Sequence, residues 1–192
     1  MMISCIIPAA GTSSRMEEWK LLLPLDGIPL IFHVIEALLP LQAPVCVVTG
    51  FRGSELQQRL SDAYPVLTFT ENPDFSLGMF SSLQRGLSRI EHGSVLIQPA
   101  DMPLVRSSHM RKITELWLKH PEGVLRPRHG ITKKPGHPVI CDHRTVRHVL
   151  RQDPTGSMQQ HIAGFAHRYL ETEDPAWFTD IDTPKEYQRL TL

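Results

Sequence analysis

Short apolar runs recur along this chain between longer stretches in which apolar side chains return every three or four residues. The runs at 3–9, 45–49, 66–70, 95–98 and 124–126 read as strands, each bounded by Gly, Pro or polar residues. Helical spacing fills the intervals. Pro29 suits the first turn of a helix running to residue 39, in which Leu30, Ile31, Phe32, Val34, Ile35 and Leu38 leave almost no polar face and predict deep burial. Helices are expected next at 54–63 and 79–91. Another starts behind a Ser107 or Ser108 cap, turns Met110, Ile113, Leu116 and Trp117 to one face, and stops before Pro121. Alternation of this kind predicts an α/β layer fold with a mainly parallel sheet.

Beyond residue 127 the pattern loosens into a basic loop, Arg128-His129-Gly130-Ile131-Thr132-Lys133-Lys134-Pro135-Gly136-His137-Pro138, long enough to suggest a functional role. A strand at 139–141, helical stretches at 145–151 and 157–165, and a last helix with Thr183 as cap and Pro184 in its first turn complete the expected elements. No repeat or linker interrupts the chain. Its 192 residues, 41% of them hydrophobic, suit one domain spanning 1–192.

Charge narrows the partners. Lys plus Arg and Asp plus Glu number 20 each, so no positive excess exists to follow a nucleic-acid backbone or an anionic membrane, and a small molecule is the expected partner. No run approaches the ~20 apolar residues of a membrane span, and no basic region precedes the first apolar run, so a cytoplasmic location is expected. Cys5, Cys46 and Cys141 are odd in number and read as buried free thiols. Without an exposed heptad stripe, a monomer is expected.

The chemistry concentrates after the first strand. Pro8-Ala9-Ala10-Gly11-Thr12-Ser13-Ser14-Arg15 is a small-residue loop whose backbone can approach a ligand closely, its N–H groups forming an anion-binding concavity flanked by Arg15 and Lys20. It lacks the Gly-Lys-Ser/Thr ending of a Walker loop and the Gly-x-Gly of a dinucleotide fingerprint. A serine nucleophile elbow is excluded because Arg15, not Gly, stands two residues after Ser13. Asp101 closes the fourth strand at the edge where open α/β sheets bind ligands, and is the first candidate metal ligand. Asp180 and Asp182 are expected to face apart, so that one of them joins it. Two carboxylates completed by phosphate oxygens and water suit Mg²⁺. Gly78, Ser81 and Ser82 open the third helix, where an amino end attracts anions and a ribose or triphosphate contact is expected. The spacing of His129, His137, His143 and His148 matches no zinc pattern.

The run from Ala9 to Lys20 resembles the A-G-x-S-x-R-M-G-x-x-K signature of small nucleotidyltransferases, and Ala100-Asp101-Met102-Pro103 resembles their G/A-D-M-P motif. Gly136-His137-Pro138 and Asp180-Ile181-Asp182-Thr183-Pro184 match two further stations in order. The pattern is most similar to the molybdenum cofactor cytidylyltransferases within the MobA-like NTP transferases. That resemblance implies a single-domain, Rossmann-like three-layer sandwich of the nucleotide-diphosphosugar transferase fold, CTP as donor, molybdopterin as acceptor and a recipient molybdoenzyme as a further partner. Ala9-Ala10-Gly11 resembles the cytidylyl pattern, the guanylyl relatives reading Ala-Gly-Gly there. Two positions depart: Pro8 replaces Leu or Thr, and Glu17, followed by Glu18, replaces the Gly after Arg-Met.

An acceptor that is already a phosphate monoester is mostly dianionic at neutral pH, with its second pKa near ~6, and attacks without a general base. The catalytic set is then Arg15, Lys20 and Asp101; the nucleotide set is Ala9, Ala10, Gly11, Thr12, Ser13, Arg15, Lys20, Gly78, Ser81 and Ser82; and the acceptor set is Gly136, His137 and Pro138. Two other functions fit the same motifs. One is a cytidylyl- or uridylyltransferase acting on a sugar or polyol phosphate; the other is a non-catalytic protein that binds and delivers molybdopterin, suggested by Glu17.

Overall fold

Ser4, Cys5, Ile6 and Ile7 are all buried, which makes β1 (Ile3–Pro8) the spine of the molecule rather than an edge. In the computed structural model, which describes residues 2–16 and 18–191, β1 is followed by a small hairpin of β2 (Pro24–Leu25) and β3 (Ile28–Pro29). The chain then forms α1 (Leu30–Leu38), β4 (Val45–Thr49), α2 (Gly53–Ala63), β5 (Thr68–Glu71), α3 (Met79–Leu87) and β6 (Ser94–Ile97). Next come α4 (Ser107–Lys119), β7 (Val124–His129), β8 (Val139–Cys141), α5 (His143–Val149), α6 (Met158–Ile162), β9 (His167–Thr172) and α7 (Pro184–Thr191). Seven strands form one sheet in the order β5-β4-β1-β6-β8-β7-β9. Every pairing is parallel except those of β8, which runs antiparallel to both β6 and β7.

The two faces of the sheet feed two cores because alternate side chains point in opposite directions. Cys5 and Ile7 pack with Ile31 and Ile35 of α1, Leu56 of α2 and Trp117 of α4; Ile6 packs with Phe80 and Leu83 of α3 and Val146 of α5. The result is the expected three-layer α/β sandwich. All three cysteines are free, buried and in strands, and burial pushes the Cys5 thiol up to about 12. Among the described residues no helix is long and apolar enough to cross a membrane.

Several element ends differ from the pattern-based reading for local reasons. Pro29 closes β3 in an extended conformation and leaves Leu30 to begin the helix, because Asp26 and Gly27 take positive φ values of 51° and 82° and fold residues 24–29 into the hairpin. β5 starts two residues later than expected, and Val66 is exposed to solvent. α3 ends at Leu87 rather than 91. Neither Ser107 nor Ser108 caps α4: Arg106 precedes the helix, and its N–H donates to His109 Nδ1 at 2.9 Å. α5 starts at His143, earlier than expected, because the Asp142 carboxylate accepts from Thr145 N–H at 2.7 Å. α6 is shorter than expected and is capped by Ser157. The sequence pattern predicts no strand where β9 lies. The terminal helix does start as expected, with Thr183 N–H donating to Glu186 Oε2 at 2.8 Å and Glu186 N–H to Thr183 Oγ1 at 3.3 Å.

Gly86 sets how closely α3 can lie on the sheet. A Cβ added there would stand 2.7 Å from Val48 Cγ2 and 2.8 Å from Ile6 Cγ2. Gly86→Ala would gain about 1 kcal/mol of helix propensity but overpack a dense layer, at a cost of about 1–3 kcal/mol. The expected outcome is a lowered urea midpoint with the slope unchanged; an equal or higher midpoint would show that the layer yields.

Candidate active site

The strand order reverses beside β1, with β4 and β5 on one side and β6 on the other. In open α/β sheets the loops part at such a point and leave a crevice at the carboxyl ends of the strands. A cavity of about 700 Å³ lies there, within the size range of small-molecule sites. Its walls come from the loop after β1, the amino end of α3, the segment after β6, and the stretch before α7.

The loop is pinned at its base and open at its tip. Ala9 N–H donates to Val48 O at 2.8 Å, and Ala10 O accepts from Phe51 N–H at 3.1 Å. Gly50 permits that approach, since a Cβ there would fall 2.7 Å from Ala10 Cβ. Ser13 then turns the chain with a φ of 56°, and its hydroxyl accepts from Lys20 N–H at 3.2 Å. Gly11, Thr12, Ser14 and Arg15 are exposed. Their amides find no acceptor among the described residues, leaving donors for an anion. Pro8, the first departure from the family signature, is the last residue of β1. Glu18 lines a second cavity that shares Thr12, Ser13 and Ser14 with the first, while Glu17 lies outside the described residues.

Lys20 joins the remaining walls. Its Nζ donates to Asp101 Oδ2 at 2.7 Å and to Asp182 Oδ1 at 2.8 Å, while Arg15 reaches Asp182 Oδ2 at 2.7 Å. Burial disfavours the ammonium, but the two carboxylates outweigh it and hold the Lys20 pKa above its ordinary value. Asp182 is shifted down for the matching reason: burial works upward, and Lys20 and Arg15 prevail. Backbone bonds fix both acids. Asp101 O accepts from Ile181 N–H at 3.0 Å, and Asp182 N–H donates to Glu186 Oε2 at 2.9 Å. Arg15 and Lys20, expected on a triphosphate, are thus drawn onto carboxylates. Asp180 and Asp182 do not face apart; both line the cavity while Ile181 between them is buried, as the two-residue period of extended chain requires. Among the described residues no three His, Cys, Asp or Glu side chains converge as a ready-made metal site.

Other candidate residues divide. Gly78, with a φ of 110°, and Ser82 line the cavity at the start of α3. Ser81 does not: its Oγ accepts from Asn72 Nδ2 at 2.9 Å and donates to Gly78 O at 2.8 Å, so it holds the loop together beneath the surface. Of the acceptor trio only His137 reaches the cavity, Gly136 and Pro138 being buried behind it. Burial, and then the charge of Arg126, push the His137 imidazole down to about 3. Asn72 was missed from the sequence, as was an aromatic chain from Trp19 through Phe51 to Phe75, with centroids 6.2 and 6.5 Å apart, that braces the loop against the segment before α3. No spacing rule links three aromatics so far apart in the chain.

A mainly parallel α/β sheet with a loop of open amides, a helix amino end and paired carboxylates at its switch point has the layout of a nucleotide-handling enzyme. The MobA-like NTP transferase domain matches residues 5–172, and the chain belongs to that family of nucleotidyltransferases. It is 31% identical over 186 residues to a protein of Escherichia coli (strain K12) named molybdenum cofactor cytidylyltransferase, covering 96% of this chain and 93% of the relative. A nucleotidyl transferase from Methanothermobacter thermautotroptrophicus superposes with a TM-score of 0.81 at 25% identity, covering 99% of this chain and 96% of that one. Molybdopterin-guanine dinucleotide biosynthesis protein A from Archaeoglobus fulgidus shares the fold, with a TM-score of 0.76 at 20% identity and coverage of 98% and 96%.

The neutral His137 carries a pH signature. An unfolded imidazole titrates near ~6.5 and the folded one near about 3, so between these values the unfolded chain binds the extra proton. Stability is therefore full above pH ~6.5 and erodes as pH falls, by at most about 1.4 kcal/mol per pH unit from this group. Urea unfolding from about pH 7.5 to about pH 5 is expected to show a shallower loss in His137→Gln than in the parent. Equal slopes would remove the assignment.

Proposed function

We propose that the protein transfers CMP from CTP to the phosphate of molybdopterin, giving the cytosine dinucleotide form of the cofactor and pyrophosphate. The observation that carries this reading is the 31% identity running through 96% of the chain to the E. coli protein named for that activity. The Ala9-Ala10-Gly11 loop supports cytosine over guanine by its resemblance to the cytidylyl pattern. The cavity supports two phosphate-bearing substrates, with loop amides and the α3 amino end at one part of its wall and His137 at another.

The donor set suits Mg²⁺. Two carboxylate oxygens, from Asp101 and Asp182, already face one cationic nitrogen at 2.7 and 2.8 Å, and hard oxygen ligands are what that ion takes. Asp101 and Asp182 would hold it, with Asp180 beside them, and when bound it neutralises phosphate charge. The protein's own groups supply the rest. The amides of the loop cradle the triphosphate, Lys20 and Arg15 set positive charge against it, and Gly78 and Ser82 meet the nucleoside. His137 stays neutral and forms part of the acceptor wall. An oxygen of the acceptor phosphate bonds to the α-phosphorus of CTP, and the bond from that phosphorus to the bridging oxygen breaks to release pyrophosphate. The acceptor oxygen is already ionised, so no side chain needs to remove a proton, in keeping with His137 Nδ1 finding no hydrogen-bond partner among the described residues.

Pyrophosphate release is measured with CTP, GTP, UTP and ATP, with Mg²⁺ and with or without molybdopterin. Release is expected from CTP alone and only with molybdopterin; tight molybdopterin binding without release from any nucleotide would favour delivery over catalysis. Asp101→Asn and Lys20→Ala are each expected to lower kcat by about a hundredfold or more, as loss of one transition-state charge partner does. Near-normal turnover in both variants would remove this mechanism.

A further inference from the structure

Arg126 is an anomaly in the core. It sits in β7 with only 7% of its surface exposed, between the apolar Leu125 and Pro127, and its guanidinium pairs with no carboxylate among the described residues. Its Nε and Nη2 both donate to a single neutral acceptor, Gly136 O, at 3.2 and 3.1 Å. A buried charge is costly unless paired, and one carbonyl does not neutralise it. A glutamine could satisfy that carbonyl without the charge.

The turn that Arg126 holds is clamped on two other sides. Gly136 N–H donates to Pro127 O at 2.8 Å and His137 N–H to Trp177 O at 2.9 Å. A Cβ on Gly136 would stand 2.3 Å from Trp177 O, so only glycine fits where the turn packs against that carbonyl. In front of it the cavity is short of positive charge: its lining carries Arg15 and Lys20 against Asp101, Asp180 and Asp182, and both cations are already engaged by those acids. An anion approaching the His137 wall meets carboxylates unless something behind the wall offsets them.

We propose that Arg126 is a positioning residue for the acceptor: fixed on the Gly136 carbonyl behind the His137 turn, its uncompensated charge makes that end of the cavity select an anionic group. The inference rests on the reading of the His137 wall as the acceptor side, and it deepens that reading by naming what the wall recognises. Arg126 touches neither substrate. It acts through the low-dielectric interior, where a fixed charge is felt further than in water.

Three variants separate charge from scaffolding: Arg126→Gln keeps a donor for Gly136 O without the charge, Arg126→Lys keeps the charge, and Arg126→Met keeps neither. The expected result in steady-state assays with CTP and molybdopterin is a rise of about tenfold or more in the molybdopterin KM for Gln and Met, with the CTP KM within about twofold of the parent and most of the loss recovered by Lys. A Tm at or above the parent's in Arg126→Met would show that the arginine is not there for stability. Equal losses in Lys and Gln, or an unchanged molybdopterin KM in Gln, would overturn the proposal.

A second readout does not depend on molybdopterin. Inorganic phosphate is titrated into the free protein while the His137 imidazole, assigned by its loss in His137→Gln, is followed by nitrogen-15 NMR. Saturable shifts that weaken in Arg126→Gln and return in Arg126→Lys are expected. If phosphate behaves so while molybdopterin is never turned over, the proposed acceptor is wrong and the inference stands. If molybdopterin is turned over while His137 ignores phosphate in every variant, the inference alone fails.

Discussion

The ammonium of Lys20 is the point on which the site depends. Asp101 stands 81 residues away and Asp182 a further 81, yet both carboxylates meet one nitrogen within 2.8 Å. Each of the three segments has its own anchor: Ser13 Oγ for Lys20, Ile181 N–H for Asp101, Glu186 for Asp182. A small third core of Leu25, Leu30 and Ile181 lies beneath, with Tyr187 and Leu190 of α7 packed on it, so the end of the chain is held to the hairpin that follows the loop. The ion cluster is thus assembled by packing and does not itself assemble the fold. That order agrees with the general finding that partly buried ion pairs add little net stability but fix geometry.

The same cluster unites opposite demands. Under the proposed reading an anionic substrate needs positive charge and a metal ion would need oxygen donors, and both kinds of side chain line one cavity. With Lys20 and Arg15 lying on Asp101 and Asp182, both cations of the cavity are engaged, while the third acid, Asp180, stays exposed at its wall. The neutral imidazole at the opposite wall adds no charge. The exposed loop amides remain as donors without an acceptor among the described residues.

Much of this was legible in the sequence because it depends on local pattern. Apolar runs located six of the seven sheet strands, and the small-residue loop and Asp101 announced themselves by composition and by position after a strand. What escaped depends on partners distant in the chain. β9 reads His-Arg-Tyr-Leu-Glu-Thr, with five of its residues half-buried and Glu171 exposed, because it is an edge strand paired only with β7. Its apolar content therefore never rises to a strand signal. Ser81 and Ser82 are adjacent hydroxyls that sequence cannot tell apart, yet one faces Asn72 and Gly78 while the other also borders the cavity. Arg126 resembles any strand arginine until the carbonyl it grips and the carboxylates it lacks are known.

β8 divides the sheet into unlike parts. On one side β5, β4, β1 and β6 run parallel and carry the loop, α3 and Asp101; on the other, β7 and β9 carry the turn that ends at His137. β8 alone runs against both neighbours, joining β6 through Val95–Cys141 to Ile97–Val139 and β7 through Val124–Cys141 and Leu125–Ile140. Three residue pairs join β8 to β6 and two join it to β7, so the wall that holds His137 is tied to the wall that holds the loop through one short reversed strand and not through a continuous parallel register.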